Sequence, residues 1–262
     1  MIKAMNTAAT GMVAQQMNID NIANNLANVN TTGFKKGRVE FQDILYQNYR
    51  KAGTASAVGT TVPVSLDVGY GARAVATSRE FSSGSVTVTG NATDLAIGGN
   101  GFFQIQMPDG TTSYTRDGSF KISAEGDLVT ADGFQVQPTI TIPQDATEVS
   151  VTIDGQAFVA VIGNETPQQI GQLELARFIN PAGLSAVGHN LYTETAASGT
   201  PITGTPATDG FGRIDQGSLE ASNVSVVDEM VNMIMAQRSY EINSKVIQTS
   251  DEMSQTTNNL KR

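Results

Sequence analysis

The hydrophobic positions of the chain follow a helical period at both ends and a period of two between them. In the first 30 residues Met5, Met12, Ile19 and Leu26 recur every seven positions, interleaved with Ala8, Gln15, Ile22 and Val29. The steps alternate three and four without a break, the period of a helix that packs against another helix. Asn30, Thr31, Thr32 and Gly33 supply the stop, Gly33 being suited to the left-handed backbone that ends helices.

The helical period returns near the other end. Ser225, with Asp228 three residues later, forms a capping box. Val227, Val231, Ile234, Ile242, Val246, Met253 and Leu260 follow as an apolar stripe, with Arg238, Thr249 and Thr256 in its gaps. From 227 to 260 is 33 residues in nine steps, about 3.67 per step, which suits a nearly straight helix. The other side carries Asn232, Ser239, Asn243, Ser244 and Gln255, polar but uncharged. Two such patterns predict that the terminal helices pair through complementary seams and that the middle of the chain is an insertion between them.

That middle reads as β. Val62, Val64, Leu66, Val68 and Tyr70 alternate with Pro63, Ser65, Asp67 and Gly69, which predicts an extended ribbon kept to a sheet edge by its proline. Short alternating runs follow at Val86/Val88, Phe103/Ile105/Met107, Leu128–Val129, Phe134/Val136, Val149/Val151/Ile153, Ala157/Val159/Val161 and Leu173/Leu175. Turn signals such as Pro108-Asp109-Gly110, Asp132-Gly133 and Asp154-Gly155 separate them, the pattern of a sandwich or barrel-like meander. Residues 180–216, rich in Gly, Pro, Thr and Ala, read as an ordered loop. The expected fold class is therefore α+β. Residues 1–34 form an N-terminal helical segment, 35–84 an extended linker and ribbon, 85–215 a β-rich domain, and 216–262 a C-terminal helical segment.

Composition narrows the chemistry. The 262 residues include no cysteine and one histidine, His189. Disulfides, thiolate catalysis and His- or Cys-based metal clusters are thereby excluded. Asp109, Asp117, Asp132 and Asp154 each precede glycine, as tight-turn residues do, and no EF-hand spacing is present. The glycines of 97–103 precede a strand rather than a helix, so they fail as a phosphate cradle. No nucleophile, base and orienting group occur together, and no cofactor or metal is expected. A net charge of −9 argues against nucleic acid as a partner. The charge is uneven: residues 81–220 hold 15 acids and four bases, while 35–51 hold five bases (Lys35, Lys36, Arg38, Arg50, Lys51) and two acids. A basic cluster of this kind is ordinarily a solvated face; between neighbouring copies such asymmetry also helps set orientation.

Three longer motifs are more specific. NNLANVNTTGFKK at 24–36, containing Asn24, Asn25, Leu26, Ala27, Asn28, Gly33 and Phe34, closely resembles the N-terminal signature of the flagellar basal-body rod and hook family. DLAIGGNGFFQIQMPDGTTSYTRDGSFKISAEGDLVTADGFQV at 94–136 resembles that family's central β motif. QGSLEASNVSVVDEMVNMIMAQRSYEINSKVIQTSDEM at 216–253 resembles its C-terminal signature. The length and the stretch 46–80 are most like the distal rod member, with a proximal rod subunit of similar size as the alternative. Residues 52–61 are small and polar where the family pattern is richer in Gln and Pro.

The resemblance implies a non-enzymatic structural subunit of the distal rod in the periplasm. Its copies would stack helically into a hollow, rigid shaft that carries torque to the hook and conducts exported subunits. Implied partners are other copies of the chain, proximal rod proteins, the hook protein, the ring bushing proteins and the flagellar type III export apparatus. Met5, Met12, Ile19, Ile22, Leu26 and Val29, together with Val227, Val231, Ile234, Ile242, Val246 and Met253, are then expected to carry self-assembly. The terminal helices would order as they dock. The uncharged face of 232–255 would line the bore, and Val62, Val64, Leu66, Val68 and Tyr70 would brace neighbouring subunits. A non-polymerising cap or adaptor and a periplasmic glycan-binding or glycan-cleaving protein are the readings from other classes.

Overall fold

The computed structural model describes residues 2–57, 60–161 and 166–260. Met1, Lys261 and Arg262 of the expected terminal segments, and Val58 and Gly59 of the stretch 52–61, lie outside them. The chain divides into two compact units, one of residues 1–26, 37–78 and 225–262, the other of 27–36 and 79–224.

The first unit contains both long helices. Helix α1 is Ile2–Ala27 and helix α2 is Val226–Leu260. The Asp228 amide donates to Ser225 Oγ at 3.5 Å and the Glu229 amide to the Ser225 carbonyl at 3.0 Å, so Ser225 starts α2 as its sequence predicts. The strand pair Gly37–Asp43 and Ala72–Arg79 belongs to the same unit, and Asn21 of α1 donates to the Gly37 carbonyl at 2.8 Å. A second hairpin pairs Tyr46–Arg50 with Leu66–Gly69, and Ala55–Ala57 pairs with Thr60–Thr61 beyond it. The ribbon differs from the uninterrupted strand that its alternation predicts. Residues 62–65 are not strand, because Pro63 has no amide hydrogen to give a ladder and the chain bends at 63–64.

The second unit is β. Its main sheet, nine strands among the described residues, runs in the order Lys121–Ile122, Leu128–Val129, Gln135–Gln137, Phe102–Gln106, Thr112–Thr115, Leu191–Thr193 and Ser185–Gly188. Leu175–Arg177 also pairs with Phe102–Gln106, and Ile202–Gly204 pairs with Leu175–Arg177. The Phe102–Gln106 strand is central and buried on both faces. Because successive side chains alternate sides, Phe103 and Ile105 enter one core with Leu95, Phe120 and Leu175, while Phe102 enters another with Tyr114, Phe178 and Tyr192. Phe81 closes the second core with its ring edge-on to Phe102 at 5.4 Å and Tyr192 at 5.3 Å. Ala146–Val151, Gln156–Val161 and Gln168–Gln172 form a separate three-stranded sheet.

The hairpins fall where the Asp-Gly signals place them: Gly110 donates to the Met107 carbonyl, Gly133 to Thr130 and Gly155 to Thr152. Residues 180–216 depart from expectation. They contain four short strands, Ser185–Gly188, Leu191–Thr193, Ile202–Gly204 and Arg213–Gln216, rather than a loop. Strands of three or four residues give too few alternations to stand out from a Gly- and Thr-rich background.

Candidate assembly surface

Two contacts fix how α1 meets α2. Asn25 Nδ2 donates to the Glu229 carboxylate at 3.2 Å. A β-carbon at Gly11 would lie 3.0 Å from the Asn243 side-chain nitrogen. Going from 25 to 11 falls by 14 and going from 229 to 243 rises by 14, so the helices run antiparallel in constant register. The α2 residues withdrawn from water follow a heptad: Glu229, Ala236 and Ser250 are buried, and Met233, Asn243, Ile247 and Ser254 half-buried. This seam sets small and polar side chains beside Met233 and Ile247.

The sequence misplaces the seam on α2, while on α1 Ala8 and Ile22 of the predicted seam are buried. The two contacts above engage Gly11 and Asn25, each one residue before Met12 and Leu26. Met5, Met12, Ile19, Leu26 and Val29 are half-buried and Ile22 is buried. On α2 the whole predicted stripe is exposed, Val227 at 71 %, Ile234 at 58 % and Ile242 at 64 %, with Val231, Val246, Met253 and Leu260 likewise open. Two residues along a helix turn about 200°, so Val231 points away from the side shared by Glu229 and Met233. Met230 and Met235 widen the exposed band. The uncharged polar face is correspondingly not one open surface: Ser239, Asn243 and Ser244 are half-buried, Asn243 against Gly11, and only Asn232 and Gln255 are exposed.

Within the N-terminal signature Asn25 does the most bonding. It is 2 % exposed, accepts from the Gly37 amide at 2.8 Å and donates to the Gly37 carbonyl at 2.9 Å while also holding Glu229. The side chain thus ties α1, α2 and the first ribbon strand together. Leu26 is half-buried and Asn24 and Ala27 are exposed. Asn28 takes the Thr31 hydroxyl at 3.2 Å. Gly33 has φ 67° and a β-carbon there would sit 2.6 Å from the Asp117 amide nitrogen, so both the dihedral and the close approach require glycine. Phe34 is buried, with the Arg79 guanidinium 5.6 Å from its ring centre.

A buried ionic triad follows immediately, and sequence reasoning missed it. Lys35 Nζ lies 2.6 Å from Glu220 Oε1, and Arg116 Nη1 lies 3.3 Å from Glu220 Oε2. All three side chains are out of contact with water, although Lys35 reads as part of a solvated basic cluster. Glu220 also accepts the Gly84 amide at 3.0 Å, and Lys35 donates to the Ser82 carbonyl at 2.8 Å. Arg116 Nη2 donates to the Gly99 carbonyl at 2.7 Å, while its Nε has no partner among the described residues. Burial lowers the pKa of both cations, with Glu220 opposing the shift. Each member comes from a different one of the three signature segments. A charge standing in each of them is the signal that points to the triad.

The ribbon presents mostly open side chains. Val64, Leu66, Val68 and Tyr70 are exposed, as are Leu45, Tyr46 and Tyr49, whereas Val62 is buried. Lys3 of α1 anchors its base by donating to Gln47 and the Tyr49 hydroxyl, with its ammonium 4.8 Å from the Tyr49 ring centre.

His189 Nδ1 lies 3.1 Å from Asp132 on the surface, beside a cavity of about 40 Å³. Among the described residues no group of three or more His, Asp or Glu side chains is placed to hold a metal ion, and no helix is long and apolar enough to cross a membrane.

Comparison with known proteins agrees with the three signatures. Residues 5–35 match the flagella basal body rod protein family, residues 96–159 the flagellar hook protein FlgE/F/G D1 domain, and residues 215–260 the C-terminal region of the flagellar basal body rod FlgEFG proteins. The chain is 54 % identical to the flagellar basal-body rod protein FlgG of Borreliella burgdorferi, with all of both chains covered. It is 48 % identical to FlgG of Caulobacter vibrioides, covering 99 % of this chain and all of that one. Against FlgF of the same organism identity is 36 %, over 90 % of this chain and 88 % of the other.

Proposed function

The chain belongs to the FlgG family of flagellar basal-body rod proteins and is a structural subunit of the distal rod, the part of the shaft in the periplasm; from that premise we propose that copies join through the exposed stripe of α2. The observation that carries this is the position of the stripe, on the side of α2 away from its polar contacts with α1. Burying a Val, Leu, Ile or Met side chain stabilises by on the order of 1.5–3 kcal/mol. Seven such residues supply a driving force large enough to offset the several kcal/mol that association costs. A patch that meets a different patch on the next copy, without closing a ring, propagates as a helix.

In this reading the half-buried Met5, Met12, Ile19, Leu26 and Val29 of α1, with the buried Ile22, stiffen the helix pair and offer their remaining surface to neighbours. Only Glu229, Ala236 and Ser250 are buried along α2, so the helix depends on neighbouring copies to cover most of its apolar side. The ribbon, with Val64, Leu66, Val68 and Tyr70 open, braces adjacent subunits. Residues 1–34 and 216–262 act as assembly segments, 35–84 as linker and brace, and 85–215 as the outer domain. The role is structural and not catalytic; the end partners are the proximal rod proteins and the hook protein, with the ring bushing around the shaft and the type III apparatus exporting the chain.

The test is assembly of the purified chain at rising concentration, followed by sedimentation and electron microscopy. Helical shafts are expected from the unaltered chain and none from Ile234→Asp; shafts of normal yield from Ile234→Asp contradict the proposal.

A further inference from the structure

All the sulfur in this chain is methionine. The sequence holds nine methionines and no cysteine, so an oxidant that seeks sulfur meets thioethers and no thiol. Their placement is uneven. Eight lie in residues 1–34 and 216–262; the ninth, Met107, belongs to the β unit and packs against its main core. Four stand on α2. Met230, Met235 and Met253 are 50 %, 64 % and 54 % exposed, whereas Met233 is half-buried on the side that holds Glu229 and Ala236. Met235 and Met253 are 18 residues apart, five turns of about 3.6, so they stand on one line along the helix. Ile242 and Val246, seven and eleven residues after Met235, fall about 20° to either side of that line. Met230 borders the same stripe, one residue before Val231. Three exposed thioethers thus belong to the apolar side of α2.

A peroxide attacks such groups directly. A lone pair of the thioether sulfur takes one peroxide oxygen, an S–O bond forms and the O–O bond breaks. With hydrogen peroxide the other oxygen leaves as water; the sulfur loses two electrons and the peroxide gains them. The product, methionine sulfoxide, is polar where the thioether is apolar. On an open helix face its oxygen is hydrated and the change costs little. Pressed against another apolar surface it has no donor, because its neighbours on the stripe are Val and Ile, and an unpaired polar group is expensive to bury. The same oxidation is therefore tolerated by the free chain and opposed by any contact that covers the stripe.

We infer that Met230, Met235 and Met253 form an oxidative modification site that gates assembly. Peroxide converts them to sulfoxides in the free chain, and the oxidised chain is refused by its neighbours, whereas copies already joined are shielded. The inference rests on the reading of the stripe as the joining surface. The modification is reversible: a methionine sulfoxide reductase returns the thioether as two thiols are oxidised to a disulfide and the oxygen leaves as water.

The test treats the purified full chain with hydrogen peroxide, once as dilute monomer and once as assembled shafts, and maps oxygen uptake by peptide mass spectrometry. In the monomer Met230, Met235 and Met253 should oxidise ahead of Met233 and Met107; in shafts the three should be protected. Monomer oxidised at the three positions should assemble only at a critical concentration about tenfold higher, and reductase treatment should return it to the untreated value. A chain carrying Met230→Leu, Met235→Leu and Met253→Leu keeps apolar side chains of similar volume. It should assemble like the unaltered chain and lose its sensitivity to peroxide, although Met17 remains exposed on α1. Assembly at an unchanged concentration by chain oxidised at all three positions overturns the inference. So does a triple-leucine chain that peroxide still blocks, because oxidation elsewhere then carries the effect. Uptake at Met233 as fast as at Met235 also overturns it. In each of these cases untreated chain still forms shafts, so the rod reading stands; failure of the untreated, unaltered chain to form shafts overturns both.

Discussion

Asn25 on α1 and Glu229 on α2, 204 residues apart, share a hydrogen bond of 3.2 Å inside the protein. The same asparagine holds both backbone groups of Gly37. A buried amide that satisfies three partners fixes register more tightly than an apolar contact, because any slip strands a carboxylate and a backbone amide away from water. Asn25→Leu should therefore cost about 2–4 kcal/mol of stability, more than Gln16→Leu at an exposed position of the same helix. Urea unfolding of the two variants compares them directly; equal losses contradict the role assigned to Asn25.

The polar seam and the apolar stripe lie on different sides of α2, which separates folding from assembly. Ala236 is 2 % exposed and Ile234 is 58 % exposed. Ala236→Asp should destabilise the monomer by about 2 kcal/mol or more by burying an unpartnered charge. Ile234→Asp should leave monomer stability within about 0.5 kcal/mol and abolish shaft formation. Thermal unfolding and sedimentation of both variants provide the comparison.

Lys35, Arg116 and Glu220 bury two cations on one anion. Glu220→Gln should be the worst substitution, at about 3–5 kcal/mol, because it leaves both cations without a counter-charge. Lys35→Met should cost less, since Arg116 and the Gly84 amide still satisfy Glu220. An order reversed in urea unfolding contradicts the triad's role.

The same triad gives a pH dependence. Burial holds the Lys35 pKa below its ordinary 10.5, so between the lowered value and 10.5 the unfolded chain binds more protons than the folded one. The Lys35 contribution to stability thus rises with pH across that window. Tyr114 and Tyr192, raised by burial, act in the opposite direction. The readout is therefore the difference between the unaltered chain and Lys35→Met, which should grow in favour of the unaltered chain from neutral pH to the alkaline side. A flat difference contradicts the assignment.

Much of this architecture is legible in sequence, and the gaps have identifiable causes. The two helices show as runs of period near 3.6, and the hairpins show because Asp-Gly turns require a positive φ, as at Gly110, Gly133 and Gly155. Hydropathy finds the α2 stripe but misassigns its partner, since the contacts with α1 include the polar Glu229 and Asn243, and the buried Ala236 and Ser250 on the same side carry little apolar signal. Lys35 reads as solvated because the carboxylate that neutralises it is 185 residues away. Pro63 breaks the strand that the alternation of valines suggests.

The central claim is that α2 turns a polar side to its own α1 and an apolar side to neighbouring copies. Single cysteines at 227, 231, 234, 242, 246 and 253, in a chain that otherwise has none, can be labelled with a maleimide in dilute monomer and in assembled shafts. All six should label readily in the monomer and become protected in shafts, while a cysteine at 236 should be protected in both. Stripe positions that stay reactive in shafts, or that are already protected in the monomer, would contradict the account.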